Sequence, residues 1–236
     1  MAETWAITGA NRGMGLEFAR QCLAAGDRVI AGVRTPGAAA ELHAVATAHP
    51  GQLRIESLDT GNETSIAAFA ASLGDEPVDV LINNAGITRA AWPGGAIDPA
   101  EMGWAAWEET LRINLFAPFA LTLALRANLA AGSQRLVVMM SSDLGSIEGN
   151  TMGGAYAYRV SKTGLNMVMK GLSIDLKSAG IAVVSMAPGW VRTDMGGSAA
   201  HWSAQDSVAL QHKVIAGLTL ADSGRFINLQ GQPVSW

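Results

Sequence analysis

The chain predicts a doubly wound α/β fold, a single-domain Rossmann-type parallel sheet of about seven strands with helices on both faces. Short apolar runs alternate with longer segments of helical period. Runs such as Arg135-Leu136-Val137-Val138-Met139-Met140 are almost continuously apolar, as strands buried on both faces are. The first run is interrupted by glycines and followed at once by an amphipathic stretch, which reads as strand, tight turn and helix.

Trp5–Thr8 is the first expected strand, Gly9 to Gly15 the turn, and Leu16 to Ala25 the helix. Glycines permit positive φ and close backbone approach, and the first turn of a helix offers unpaired N–H groups at a positive dipole end. A pyrophosphate would dock there. Arg28–Val33 is the second strand, followed by an Ala-rich helix candidate from Gly37 to Ala48. Leu53–Leu58 is the third, and Val78–Asn83, ending in Asn83-Asn84-Ala85-Gly86, is the fourth. Arg135–Ser141 runs into Ser142, Ile181–Ala187 into Pro188-Gly189, and Arg225–Leu229 closes the series. Parallel strands need crossovers, so ligands belong beyond the carboxyl ends, where these motifs fall.

At 236 residues the chain suits one domain, 1–236, with a full core. The net charge is −4 and lysine occurs only at 162, 170, 177 and 213, so no basic stripe exists and nucleic acid is not an expected partner. The first strand begins almost at once, without a secretory leader pattern, and the longest near-apolar run, Leu115 to Leu125, is shorter than the ~20 residues a span requires. A cytoplasmic protein without a membrane span is the expectation. Cys22 alone cannot build a disulfide, and His43, His49, His201 and His212 have no ligand spacing, so no metal is expected.

Tyr158 and Lys162 lie four apart in a helical segment, which puts phenol and ammonium on one face, ~5–6 Å apart at Cβ. A free phenol titrates near ~10, and a nearby cation favours tyrosinate. The Tyr-x-x-x-Lys pair joins Thr-Gly-x-x-x-Gly-x-Gly at Thr8 to Gly15, Asn83-Asn84-Ala85-Gly86, Asn114, Ser142 and Pro188-Gly189 with Thr193. On these residues the chain resembles the short-chain dehydrogenase/reductase family along its whole length. Gly189 to Gly197 and Ser223-Gly224-Arg225-Phe226 are similar to the C-factor-like and carbonyl-reductase-like branch.

The resemblance implies strand order 3-2-1-4-5-6-7 and a dinucleotide held by Gly9, Asn11, Arg12, Gly13, Met14, Gly15, Asp59, Asn83, Ala85 and Gly86. Asp59 would bond the adenine amino group. Leu58 is either an adenine contact or strand core. Lys162 would hold the nicotinamide ribose and Thr193 the carboxamide, with Pro188 and Val191 packed on the ring. NAD sites carry a carboxylate after the second strand, but Val33-Arg34-Thr35 occupies that place and none occurs between Asp27 and Glu41. Arg34 and Arg12 can pair with a 2′-phosphate instead, so NADP(H) is expected, with NAD(H) as the alternative.

The implied reaction is hydride transfer between the nicotinamide and an aldehyde or ketone. Tyr158 would be proton donor and acceptor, Lys162 its helper, and Ser142 the residue that orients the substrate oxygen. Asn114 would hold a water that links Lys162 to solvent. Pro118, four residues on, lacks the N–H that would bond the Asn114 carbonyl, which predicts a kink and a free acceptor. Ser142 lies 16 positions before Tyr158, so Ser146 is a rival, and Ser141 should point to the opposite side. Tyr156 either lines the pocket or packs in the core. Trp92, Trp190 and Trp202, with Gly94, Gly95, Gly196 and Gly197, are expected at the pocket rim. Trp104 and Trp107 read as core or subunit-contact residues, and Trp5 and Trp236 as structural. The resemblance implies a homodimer or homotetramer. A signalling protein that binds dinucleotide without turning it over is the alternative function. Hydrolysis and phosphoryl transfer lack their Gly-x-Ser-x-Gly and P-loop signatures.

Overall fold

The computed structural model of the chain describes residues 2–88 and 103–236. Trp92, Gly94 and Gly95 fall outside the described residues. The strands are β1 (Thr4–Thr8), β2 (Arg28–Val33), β3 (Leu53–Ser57), β4 (Val80–Asn83), β5 (Leu136–Met140), β6 (Ala182–Ala187) and β7 (Phe226–Asn228). They form one parallel sheet in the order β3-β2-β1-β4-β5-β6-β7.

Alternation along each strand sorts its side chains into two cores. Ile7, Ala31, Ile82, Val138 and Val184 face one cluster, with residues of α1 (Gly13–Ala24), α2 (Ala40–Ala48) and α8 (Ala204–Ile215). Ala6, Ile30, Leu81, Val137 and Val183 face the other, with α3 (Glu63–Leu73), α5 (Ala117–Ala124), α6 (Arg126–Ala131) and α7 (Tyr156–Asp175). A further helix, α4 (Trp104–Leu111), precedes α5. The sheet changes direction between β1 and β4, the topological switch point where a crevice opens. Among the described residues no helix is long and apolar enough to cross a membrane.

The observed strands are shorter than the apolar runs, for local reasons. Arg135 has φ 55°, a left-handed conformation outside the strand region, although its carbonyl still accepts from the Ala182 amide at 2.8 Å. Asp79 precedes β4, and its carboxylate accepts from the Thr4 amide at 2.7 Å and the Ser133 amide at 2.5 Å, tying together the approaches to β1 and β5. Leu58 lies past β3 in the core, where it fills the space that a side chain on Gly32 would need. It is a core residue.

Pro118 produces its distortion one turn early. Residues Arg112–Phe116 form a π turn in which the Ala117 amide donates to the Arg112 carbonyl, five residues back. α5 then resumes α-helical register with Pro118 in its first turn. The change of register, together with the N–H that proline lacks, leaves more carbonyls than amides around Asn114.

Candidate active site

The glycine turn is built by close packing. Gly9 and Gly13 have φ +66° and +55°, and a Cβ on Gly15 would overlap the Gly9 carbonyl oxygen. Asn84 braces the turn through Nδ2, which donates to the Thr8 carbonyl at 2.9 Å, and Thr8 Oγ1 accepts from the Ala85 amide at 2.8 Å. Thr8 and Asn84 thus join the two strand ends at the switch point. Asn84 stood inside a quoted motif, yet its bracing partner is 76 residues away. Arg12 occupies the N-cap position of α1 in an extended conformation with no side-chain cap, and the first turn holds no acidic residue. The backbone N–H groups there are open to an anion.

The residues expected around the adenosine divide into three kinds. Arg34 and Asn11 are exposed, and Arg34 makes no ion pair among the described residues. Asp59 turns one carboxylate oxygen to the Gly61 amide at 2.9 Å. Asn83 keeps its side chain in the interior. It is buried, and Nδ2 donates to Thr122 Oγ1 at 3.2 Å, because Asn83, like Leu81, faces the α5 side of the sheet. Ala85 and Gly86 continue along the crevice floor.

Gly86 connects the two halves of the site. A Cβ there would lie 3.3 Å from Asn114 Oδ1 and 3.7 Å from Lys162 Nζ. The Asn114 side chain is fully buried: Oδ1 accepts from the Ile87 amide at 2.8 Å, and Nδ2 donates to the Ile87 carbonyl at 2.9 Å and to Ser161 Oγ at 3.1 Å. Lys162 Nζ is buried, donates to the Met140 carbonyl at 2.7 Å, and lies 5.6 Å from the centre of the Tyr158 ring. Tyr158 is half-buried in the first turn of α7.

Ser142 and Ser146 have different partners. The Ser142 oxygen accepts from the Leu144 amide at 3.2 Å, and its hydroxyl lies near enough to the Tyr158 phenol to pull that phenol's pKa down. Ser146 Oγ is committed elsewhere, accepting from the Gly149 amide at 2.9 Å and donating to the Trp236 carbonyl at 3.4 Å. Ser141 points away, to Asn166 Oδ1 at 2.7 Å.

Burial dominates the electrostatics of the pair. It pushes the Tyr158 phenol above its ordinary value, the neighbouring Ser142 hydroxyl pulls it partly back, and the Asp143 carboxylate pushes it up again. Burial also lowers Lys162 to about 8. Burial is the largest influence on both groups, raising the phenol and lowering the ammonium. The phenol holds its proton firmly at neutral pH.

The β6–α8 connection forms the opposite rim. Pro188 and Val191 are buried, and Thr193 Oγ1 accepts from the Gly196 amide at 3.2 Å. Trp190 is partly exposed at this rim and donates through Nε1 to the Gly196 carbonyl at 2.8 Å. Trp202 packs beneath it, against Gly189. Tyr156 is exposed and lines a separate cavity of about 370 Å³ with Ile147, Arg159 and Val160. Trp104 is 84% exposed, which removes it from the core, whereas Trp5 is buried and stacks on His212. Trp236 packs on Phe226. Cys22 is buried, and among the described residues no group of three or more His, Cys, Asp or Glu could hold a metal.

A switch-point crevice, an anion-ready helix end and a phenol beside a buried lysine define a dinucleotide-binding oxidoreductase site. The family model described as short chain dehydrogenase matches residues 3–204, and the chain belongs to that family. It is 44% identical over 169 residues to the C-signal of Myxococcus xanthus, across 72% of this chain and 99% of that one. The carbonyl reductase Sniffer of D. melanogaster superposes with a TM-score of 0.91 at 33% identity, with 100% of both chains covered. The NADPH-bound carbonyl reductase from chicken fatty liver gives 0.91 at 34%, covering 100% of this chain and 99% of that one.

Proposed function

We propose that the protein is an NADP(H)-dependent oxidoreductase acting on an aldehyde or ketone and the corresponding alcohol. The likeness to an NADPH-bound carbonyl reductase supports the cofactor. So do the uncapped N-terminus of α1 and the exposed Arg34, which stands where a carboxylate would repel a 2′-phosphate. The bound dinucleotide would supply the hydride. Gly9, Asn11, Gly13, Met14 and Gly15 would hold its diphosphate, Arg12 and Arg34 its 2′-phosphate, and Asp59, Ala85 and Gly86 its adenosine side. Lys162 and Thr193 would hold the nicotinamide end, packed against Pro188 and Val191.

The nearness of the Ser142 and Tyr158 hydroxyls, with the buried Lys162 ammonium 5.6 Å from the centre of the Tyr158 ring, carries the reaction class. Both hydroxyls converge on the place where a carbonyl oxygen would sit, so Ser142 orients that oxygen while Tyr158 delivers its proton as negative charge develops there. A phenol that stays protonated at neutral pH suits reduction. Lys162 and Asn114, both beside Gly86, form the buried end of the path by which that proton is replaced. Exposed Phe116, Phe119 and Leu123, with Val160, Met167 and Ile174 at heptad spacing on α7, support assembly into a dimer or tetramer.

NADPH consumption with aldehydes, ketones and quinones tests this reading against Tyr158→Phe. The variant should bind NADPH as the parent does and lose ~10²–10⁴-fold in kcat. Full activity in Tyr158→Phe removes the assignment of the proton donor. The identity to the C-signal favours a second reading, a signalling protein that binds dinucleotide without turnover. Tight NADPH binding with no oxidation across the whole panel would establish it.

A further inference from the structure

Arg12 and Asp194 lie 182 residues apart in the chain, yet Arg12 Nη1 stands 2.6 Å from Asp194 Oδ2. The pair spans the mouth of the crevice. Arg12 belongs to the glycine turn after β1, and Asp194 to the connection after β6. A second contact runs alongside, since a Cβ on Gly13 would meet Thr193 Cγ2 at 3.4 Å. The connecting segment is itself a built turn. The Gly197 amide donates to the Thr193 carbonyl at 2.9 Å, the Gly196 amide to Thr193 Oγ1 at 3.2 Å, and Trp190 Nε1 to the Gly196 carbonyl at 2.8 Å.

Both partners are largely in water, with side chains 69% and 76% exposed. Such a pair is weak enough to exchange partners. A phosphate monoester carries about −1.5 to −2 charge at neutral pH and three strong acceptor oxygens, against the single charge of a carboxylate. Arg34, exposed and without an ion pair among the described residues, offers that phosphate a second cation. The carboxylate of Asp194 is thus a competitor for the guanidinium a 2′-phosphate needs.

We propose that Asp194 is a specificity-determining residue that holds Arg12 until an adenosine 2′-phosphate replaces it, so that the group distinguishing NADP(H) from NAD(H) also unlatches the 193–197 turn. The proposal rests on the NADP(H) reading above and adds to it a residue on the opposite rim. It sets a sign: Asp194 opposes the 2′-phosphate and is indifferent to a dinucleotide without one.

Calorimetric titration with adenosine 2′,5′-bisphosphate, adenosine 5′-monophosphate, NADPH and NADH tests it without turnover. Asp194→Asn should tighten the two 2′-phosphate ligands up to about five-fold and leave the other two unchanged. In an Arg12→Gln background the same substitution should do nothing. Bisphosphate should also speed hydrogen exchange at the Gly196 and Gly197 amides, which adenosine 5′-monophosphate should not. Weaker binding of NADPH and NADH alike would show a latch closing over the dinucleotide and overturn the proposal. So would an effect that survives in Arg12→Gln, or unchanged exchange on bisphosphate binding. If the parent chain binds bisphosphate no better than the monophosphate, the NADP(H) reading fails as well, and that result separates the two.

Discussion

Helices α1 and α8 lie against each other on one face of the sheet, joined by a bond from Gln21 to the Gln205 carbonyl, and each has 12 residues. Their N-termini are treated in opposite ways. α8 begins at Ser203, whose Oγ accepts from the Asp206 amide at 2.9 Å, and Asp206 puts a negative charge in the first turn. α1 begins at Arg12 with no side-chain cap and no acidic residue. A helix end that points to solvent is filled from within, whereas the one that points into the crevice keeps its donors and dipole for an outside anion. Lys162 continues the pattern on α7. It is a buried cation without a carboxylate partner among the described residues, satisfied in the chain by one carbonyl.

The largest way to break this contrast is to fill the open end. Gly15→Ala places a methyl group into the Gly9 carbonyl oxygen and 2.7 Å from Asn84 Nδ2. Backbone cannot step aside as a flexible side chain can, so the turn must deform at a cost of ~1–3 kcal/mol. Thermal unfolding should show that loss, and calorimetry should show dinucleotide binding fall by at least ~10-fold. Wild-type affinity in Gly15→Ala would mean that the turn does not hold the diphosphate.

The second test concerns charge. The Lys162 pKa falls from its ordinary 10.5 to about 8, so between these values the unfolded chain binds the proton that the folded chain has lost. Stability contributed by this group therefore rises with pH from about 8, at no more than ~1.4 kcal/mol per pH unit, and is lost as pH falls through 8. Cys22 works the other way above its ordinary value of 9.0, because burial keeps its thiol protonated in the fold. The difference between parent and Lys162→Met in urea unfolding at pH 8 and pH 9 isolates the lysine. A parent stability that does not rise relative to the variant over that interval would show that Lys162 is hydrated rather than buried.

Strand positions were legible because a buried parallel strand leaves a continuous apolar run, and glycines mark where backbone meets backbone; their order followed from the family resemblance alone. The placement of Ser142 after β5 and of Tyr158 and Lys162 on one helix was legible because strand end and helix register are local. What escaped depends on tertiary partners. The side of β4 that Asn83 faces is set by Thr122, and the occupancy of Arg12 by Asp194, far along the chain. The balance at Tyr158 escaped for a different reason. Spacing shows that a cation is near but not how much water is removed from both groups, and here burial dominates.

The smallest effect is expected at the filled end. Ser203→Ala removes the oxygen that accepts from the Asp206 amide and donates to its carboxylate at 2.6 Å. An N-cap of this kind contributes ~1 kcal/mol, which in a chain of this length is a shift of ~2–4 °C in Tm. Because α8 presents this end to solvent, NADPH affinity should be unchanged. The two helices then separate cleanly: damage at α1 shows in ligand binding and damage at α8 only in Tm. If Ser203→Ala weakened NADPH binding as Gly15→Ala does, the cap of α8 would be transmitting to the crevice, and the contrast between a reserved helix end and a filled one would not describe this fold.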